Sequence, residues 1–296
     1  MCSSRIRVCL AVACVSVAAS PAAKDPFTLD RDAARWVEQT LKNMRVDERV
    51  GQVLVPSFES TYLSSDSDEF EQLARLARDY HVGGFHVFGG SEPIPAVLLN
   101  SSYGSVTLGE PLAAVSIVNR LQALAAIPLL NSADFETGAG FRIAGATVFP
   151  RQMALGAIAG SDAAVRLVRE SARITAVETR AMGIHVNFAP LADVNNNPRN
   201  PVINTRSYGE NPSRVGALVG AYVEGAHQGR MLATIKHFPG HGDTDVDSHL
   251  GLPAIAVGRD RLDAVELPPF RAGIARGADA VMAAHIVLPA LDPAPE

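Results

Sequence analysis

Short apolar runs alternate along this chain with longer amphipathic stretches. The runs Val50–Pro56, Val82–Phe88, Ile127–Ala133, Ile184–Ala189, Met231–Lys236 and Asp279–Ala284 are rich in Val and Ile or continuously apolar. That is the pattern of strands buried on both faces. Between them the spacing predicts helices. One runs from Asp68 to Tyr80 with Phe70, Leu73, Leu76 and Ala77 on one side. A second is capped at Ser161-Asp162 and stopped by Gly183, a third opens at Asn211-Pro212-Ser213 and ends at Gly229, and a fourth spans Arg259 to Arg276 before Gly277.

Strand–helix alternation of this kind implies right-handed βαβ units and a parallel sheet. A doubly wound dinucleotide fold calls for a Gly-rich turn after the first strand, and Ser-Phe-Glu-Ser-Thr-Tyr after Pro56 is not one. Polar residues instead gather at successive strand ends: Asp134 and Glu136, then Asp193 and Asn195, then Lys236 and His237, then His285. Function collects at that end of a closed barrel. The fold class expected is therefore α/β, a TIM (β/α)8-type barrel with about six of its eight units in this chain. Six units would leave two sheet edges open, an aggregation liability, so the sequence is expected to be the front part of a longer product. The segment Gly89 to Glu110 is a long βα loop, read either as a wall of the site or as a packed surface excursion.

Composition narrows the partners. The chain has 296 residues, 47% of them hydrophobic, and a formal charge of −5 with scattered Lys and Arg, which gives no basic surface for nucleic acid. Arg5 and Arg7 precede an apolar run from Val8 to Ala18, then small residues and Pro21. This is the layout of a secretory signal, too short to span a bilayer. The expected division is a signal peptide over 1–23 and one barrel domain over 24–296, with a secreted or periplasmic location and no stable membrane insertion. Cys14 after Ala-Val-Ala also fits a lipoprotein attachment. All three cysteines (Cys2, Cys9, Cys14) lie in the leader, so chemistry falls to carboxylates, imidazoles, hydroxyls and amines.

The densest chemistry lies in Lys236-His-Phe-Pro-Gly-His-Gly-Asp-Thr-Asp-Val-Asp-Ser-His249. Pro239, Gly240 and Gly242 make it a loop. Three readings stay open. Asp243-x-Asp245-x-Asp247 has the start of a calcium loop, yet Ser248 and Ala254 stand where Gly and Glu belong. A solvated structural loop explains Asp243 and Asp245 but not Lys236, because a cation at the end of a buried strand needs a partner. Acid/base catalysis is the third: Asp247 and His249, two apart on extended backbone, can form a carboxylate–imidazole dyad. His81, His86, His185 and His227 read as packed or surface imidazoles.

These residues resemble glycoside hydrolase family 3, in its β-N-acetylglucosaminidase branch. Lys236-His-Phe-Pro-Gly-His-Gly242 followed by Asp247-Ser-His249 is similar to that family's signature. Ala133-Asp134-Phe-Glu136, Arg142, Asn187-Phe-Ala-Pro-Leu-Ala-Asp193, Thr205-Arg206-Ser-Tyr and Ala280-Val-Met-Ala-Ala-His285 match in order. The resemblance implies retaining hydrolysis of a terminal N-acetylglucosamine from peptidoglycan or chitin-type oligosaccharides, with no cofactor and no metal. It makes His249 the acid/base and Asp247 its orienter, and Asp134, Arg142, Arg206, Lys236 and His237 the sugar-holding residues. It places the carboxylate nucleophile on a later strand end beyond residue 296, so this chain is expected to hold none. A non-catalytic sugar-binding remnant and an N-acetylglucosaminide phosphorylase remain as alternatives.

Overall fold

The computed structural model describes residues 28–89, 109–248 and 251–292. The expected signal peptide, most of the long βα loop and His249 lie outside the described residues. The chain divides into two units, residues 1–43 and 44–296. In the first, helix α1 (Arg31–Asn43) buries none of its residues.

Among its described residues the second unit holds six strands: β1 (Ser57–Glu59), β2 (His86–Phe88), β3 (Ser132–Ala133), β4 (Val186–Asn187), β5 (Leu232–Phe238) and β6 (Ala280–Ala283). Each pairs in parallel with its neighbour in sequence, in the order β1-β2-β3-β4-β5-β6. A doubly wound sheet reverses its strand order at a switch point, and this one never does. It is the winding of a (β/α)8-type barrel, with six consecutive units. Helix α2 (Val46–Gln52) precedes β1, and the connections carry α3 (Asp68–Arg78), α4 (Pro111–Leu124), α5 (Gln152–Gly156), α6 (Ser161–Ala181) and α7 (Pro212–Gln228). A last helix starts as α8 (Arg259–Arg261), passes through a π turn (Leu262–Glu266) and continues as α9 (Leu267–Ala275).

Local chemistry accounts for most of these boundaries. Ser67 caps α3 by accepting from the Phe70 amide at 3.2 Å, and Phe70, Ala74 and Ala77 form its buried face. Asn211 caps α7 by accepting from the Arg214 amide at 3.0 Å, with Pro212 in the first turn. Two expectations are corrected. The first strand is not Val50–Pro56 but Ser57–Glu59, because Val50 to Gln52 belong to α2. Glu48 accepts from the Arg45 amide at 2.7 Å and so starts a helical turn just before the apolar run. Nor do Ser161 and Asp162 cap α6. Gly160 occupies the cap position without a side-chain bond, and Ser161 donates to Asp162 instead.

Two apolar layers join sheet to helices. Phe58, Phe85, Val87, Ile117, Leu121 and Phe135 fill the first, between β1–β3 and α3–α4. Val168, Val215, Val219, Met231, Ile235 and Phe270 fill the second, between β4–β5 and α6, α7 and α9. Each such side chain contributes about 1.5–3 kcal/mol through burial. They fix the strand ends, where the polar residues sit. The α7 cap provides a direct test: Asn211→Ala should cost about 1 kcal/mol in denaturant unfolding. An unchanged midpoint would show that Pro212 and tertiary packing alone set this helix start.

Candidate active site

Strand β5 places Lys236 in a run of buried residues, so its ammonium group leaves water and must find partners. It finds two. Nζ donates to Asp134 Oδ1 at 2.7 Å and is ion-paired with Glu136 Oε1 at 2.8 Å, both from the segment after β3. Glu136 is held from its other side by Arg206, whose Nη2 and Nε reach its two oxygens at 2.7 and 3.0 Å. This is the bidentate fork that guanidinium and carboxylate geometry favour. Arg142 lies 3.9 Å from Asp134 Oδ2 and packs over the rings of Phe141 and Phe88.

His86, read from the sequence as an ordinary imidazole, belongs to this network. Its Nε2 lies 3.3 Å from Asp134 Oδ2, its Nδ1 lies 3.1 Å from Ser132 Oγ, and its ring stacks on Phe188. It opens β2, and no neighbour in sequence flags it. Asn187 was likewise read only as part of a motif. Its Oδ1 accepts from the Phe135 amide at 2.8 Å, and its Nδ2 donates to the Phe135 carbonyl and to Tyr222 Oη. It therefore pins the backbone between Asp134 and Glu136.

Charge balance follows from these contacts. Burial pushes the Asp134 and Glu136 carboxyls up, but Lys236 acting on Asp134 and Arg206 and Lys236 acting on Glu136 outweigh it and hold both well below the usual range. Burial disfavours the Arg206 charge, and Glu136 more than offsets that. Three cations against two carboxylates leave the network open to an electron-rich ligand. An ammonium has three donors, and one of those of Lys236 goes to Asp134. Asp134, the more exposed of the two acids, retains acceptor capacity for a hydroxyl pair.

His237 faces a separate partner. Its Nδ1 lies 2.8 Å from Asp193 Oδ2, and its amide donates to the same carboxylate. Asp193, fully buried, also accepts from the His241 amide at 2.7 Å, so it anchors the start of the following loop. Burial lowers the His237 pKa, and Asp193 only partly restores it. The Lys236–His237 peptide bond is cis.

Strand β5 runs to Phe238, two residues past its expected end, so the loop proper begins at Pro239. Within it Asp243 lies 3.6 Å from Arg261, Asp245 faces solvent and Asp247 is buried. These carboxylates do not converge, and among the described residues no three His, Cys, Asp or Glu side chains could hold a metal ion together. Gly242 fits because a Cβ there would stand 1.7 Å from the Val194 carbonyl oxygen. The structure thus joins Lys236, Asp134, Arg206 and Arg142 in one network with Glu136 and His86. It sets His237 on Asp193, buries Asp247 in the loop, and does not describe its expected partner His249. His285 follows β6 and is exposed.

Glu136→Gln should destabilise the fold by about 3–5 kcal/mol, since it leaves two buried cations short of a partner. Because both carboxyls titrate lower in the folded state than their ordinary 3.8 and 4.5, their stabilisation is complete above those values and declines as pH falls further. Acid unfolding of Glu136→Gln should accordingly be less steep than that of the wild type. Identical acid profiles, or a loss under about 0.5 kcal/mol as at an ordinary surface site, would mean the network is not what holds Lys236.

The N-terminal domain of glycosyl hydrolase family 3 matches residues 45–296. The chain is 35% identical over 265 residues to a Beta-N-acetylglucosaminidase/beta-glucosidase of Cellulomonas fimi, covering 90% of this chain and 42% of that one. It is 42% identical over 229 residues to Beta-hexosaminidase A of Pseudoalteromonas piscicida, covering 75% of this chain and 36% of that protein. A glycoside hydrolase family 3 beta-N-acetylglucosaminidase from Paenibacillus sp. str. FPU-7 superposes with a TM-score of 0.72 at 40% identity, over 85% of this chain and 44% of the other. The chain therefore spans less than half the length of each of these relatives. With the barrel winding, the strand-end polar network and a family match over residues 45–296, this chain belongs to glycosyl hydrolase family 3.

Proposed function

We propose that this chain carries the sugar-holding site and the acid/base group of a retaining β-N-acetylhexosaminidase. The observation that supports this best is the buried Lys236–Asp134 pair, which presents a donor and an acceptor side by side at the strand ends. Adjacent hydroxyls of a pyranose need that combination, and charge-assisted bonds of this type discriminate strongly against analogues that lack a hydroxyl. Names of relatives that refer to N-acetylglucosaminides or hexosaminides support the substrate class. Peptidoglycan or chitin-type oligosaccharides are the proposed glycans, and export directed by residues 1–23 is the proposed route to them.

In the proposed reaction a carboxylate attacks the anomeric carbon while His249, oriented by Asp247, protonates the departing glycosidic oxygen. His249 then takes a proton from water as that water displaces the carboxylate, so configuration is retained. The described strand-end acids do not suit the attacking role. Glu136 is closed in by Arg206 and Lys236, Asp193 is fully buried against His237 and His241, and Asp134 faces Lys236 and His86. The same observation favours a second reading, a non-catalytic sugar-binding module, in which Asp134 and Lys236 bind N-acetylglucosamine without turnover.

Hydrolysis of a chromogenic N-acetyl-β-glucosaminide by a protein that also supplies the attacking carboxylate separates the two. His249→Ala should lower kcat about a hundredfold to ten-thousandfold. Asp134→Asn should lower kcat/KM about tenfold to a hundredfold, the worth of one charge-assisted hydrogen bond. Binding of N-acetylglucosamine without hydrolysis would select the second reading. Turnover indifferent to His249→Ala would reject the acid/base assignment.

A further inference from the structure

A buried carboxylate outside the sugar-holding network lies against the loop that carries Asp247. Glu266 closes the π turn before α9, with its side chain 1% exposed. Its Oε1 accepts from Asn196 Nδ2 at 3.1 Å, in the loop after β4, and from Arg261 Nη2 at 3.3 Å. The same Arg261 nitrogen lies 3.6 Å from Asp243 Oδ2, in the loop after β5. Gly240, at φ +129°, rests on the stem of Glu266, where a Cβ would stand 2.9 Å from its Cβ and 3.1 Å from its Cγ. One side chain therefore joins three segments: its own helix, the loop that follows Asp193, and the loop that leads to Asp247.

Packing alone does not account for it. Glu266 Oε2, Asn196 Oδ1 and Arg261 Nε are all buried without a hydrogen-bond partner among the described residues. Burial pushes the Glu266 carboxyl up, and Asn196 and Arg261 only partly pull it back. An apolar residue of similar volume would fill the space at lower cost. The π turn also interrupts the regular helix ladder, a feature that recurs at functional sites. Both costs make sense if the geometry they impose is what matters.

We propose that Glu266 is a positioning residue: through Asn196, Arg261 and Gly240 it fixes the loop after β5, and with it Asp247, against the loop after β4. Its kinetic consequence rests on the glycosidase reading, whereas its structural consequence does not. Backbone hydrogen exchange over residues 239–248, measured with kcat and KM in the wild type, Glu266→Gln and Glu266→Ala, tests both. Glu266→Ala should raise exchange in that segment about tenfold and leave Val186 and Asn187 of β4 unchanged. Its kcat should fall about tenfold with KM within about twofold, and Glu266→Gln, which keeps an acceptor for Asn196, should fall between. Unchanged exchange in 239–248, or exchange raised equally in β4, would overturn the proposal, as would kcat and KM shifting together. If Glu266→Ala does not fold, Arg261→Ala decides by the same local exchange, because it cuts the links to Asp243 and Glu266. If the wild type turns over no glycoside, exchange alone judges the positioning role, and the failure lies with the proposed activity.

Discussion

Lys236 carries a positive charge to the end of a strand whose neighbouring side chains are buried, and the arrangement of the strand ends follows from neutralising it. Leaving one buried charge unpaired costs several kcal/mol, comparable to the net stability of a small domain. Asp134 and Glu136 both turn toward its ammonium. Two carboxylates side by side then need further partners: Arg206 pairs with Glu136, and Arg142 and the His86 ring stand beside Asp134. Asn187 and Tyr222 hold the backbone that presents the two acids. The two acids are thereby held in place, with Asp134 the more exposed of the two.

The neighbouring loop is built differently. It leaves β5 through Asp193, which grips His237 and the His241 amide, and Gly240 between them rests on Glu266. Beyond these supports come Gly242 and the exposed Asp245, with few apolar anchors. A fixed pocket beside a loop tethered at discrete points suits a reaction in which one group must grip a sugar while another approaches the bond to be broken. Geometry errors of about 1 Å cost catalysis heavily, so under the proposed reaction the tethers matter as much as the proposed dyad.

Much of this was legible in the sequence because the physics is local or periodic. Apolar runs between amphipathic stretches located five of the six strands, and Asn211 and Gly229 marked the ends of α7 through cap chemistry. The sequence shows that a cation at the end of a buried strand needs a partner, and Asp134 stands at the end of β3, two strands away. What stayed hidden depends on contacts distant in sequence. Val50–Pro56 looked like a strand because it is apolar, while the turn started by Glu48 drew its first residues into a helix. His86 had no distinguishing neighbour in sequence, and only the parallel register His86↔Ser132 brings it to Asp134. Glu266 reads as one more charge on an amphipathic helix until the fold places Asn196 and Gly240 against it.

The central claim is that Lys236 and Asp134 together grip a sugar. A crystal structure of the protein with N-acetylglucosamine tests it most directly. The account predicts sugar hydroxyl oxygens within about 3.2 Å of both Lys236 Nζ and an Asp134 carboxylate oxygen, with Glu136 still locked on Arg206. A sugar seated elsewhere, touching neither residue, would contradict it.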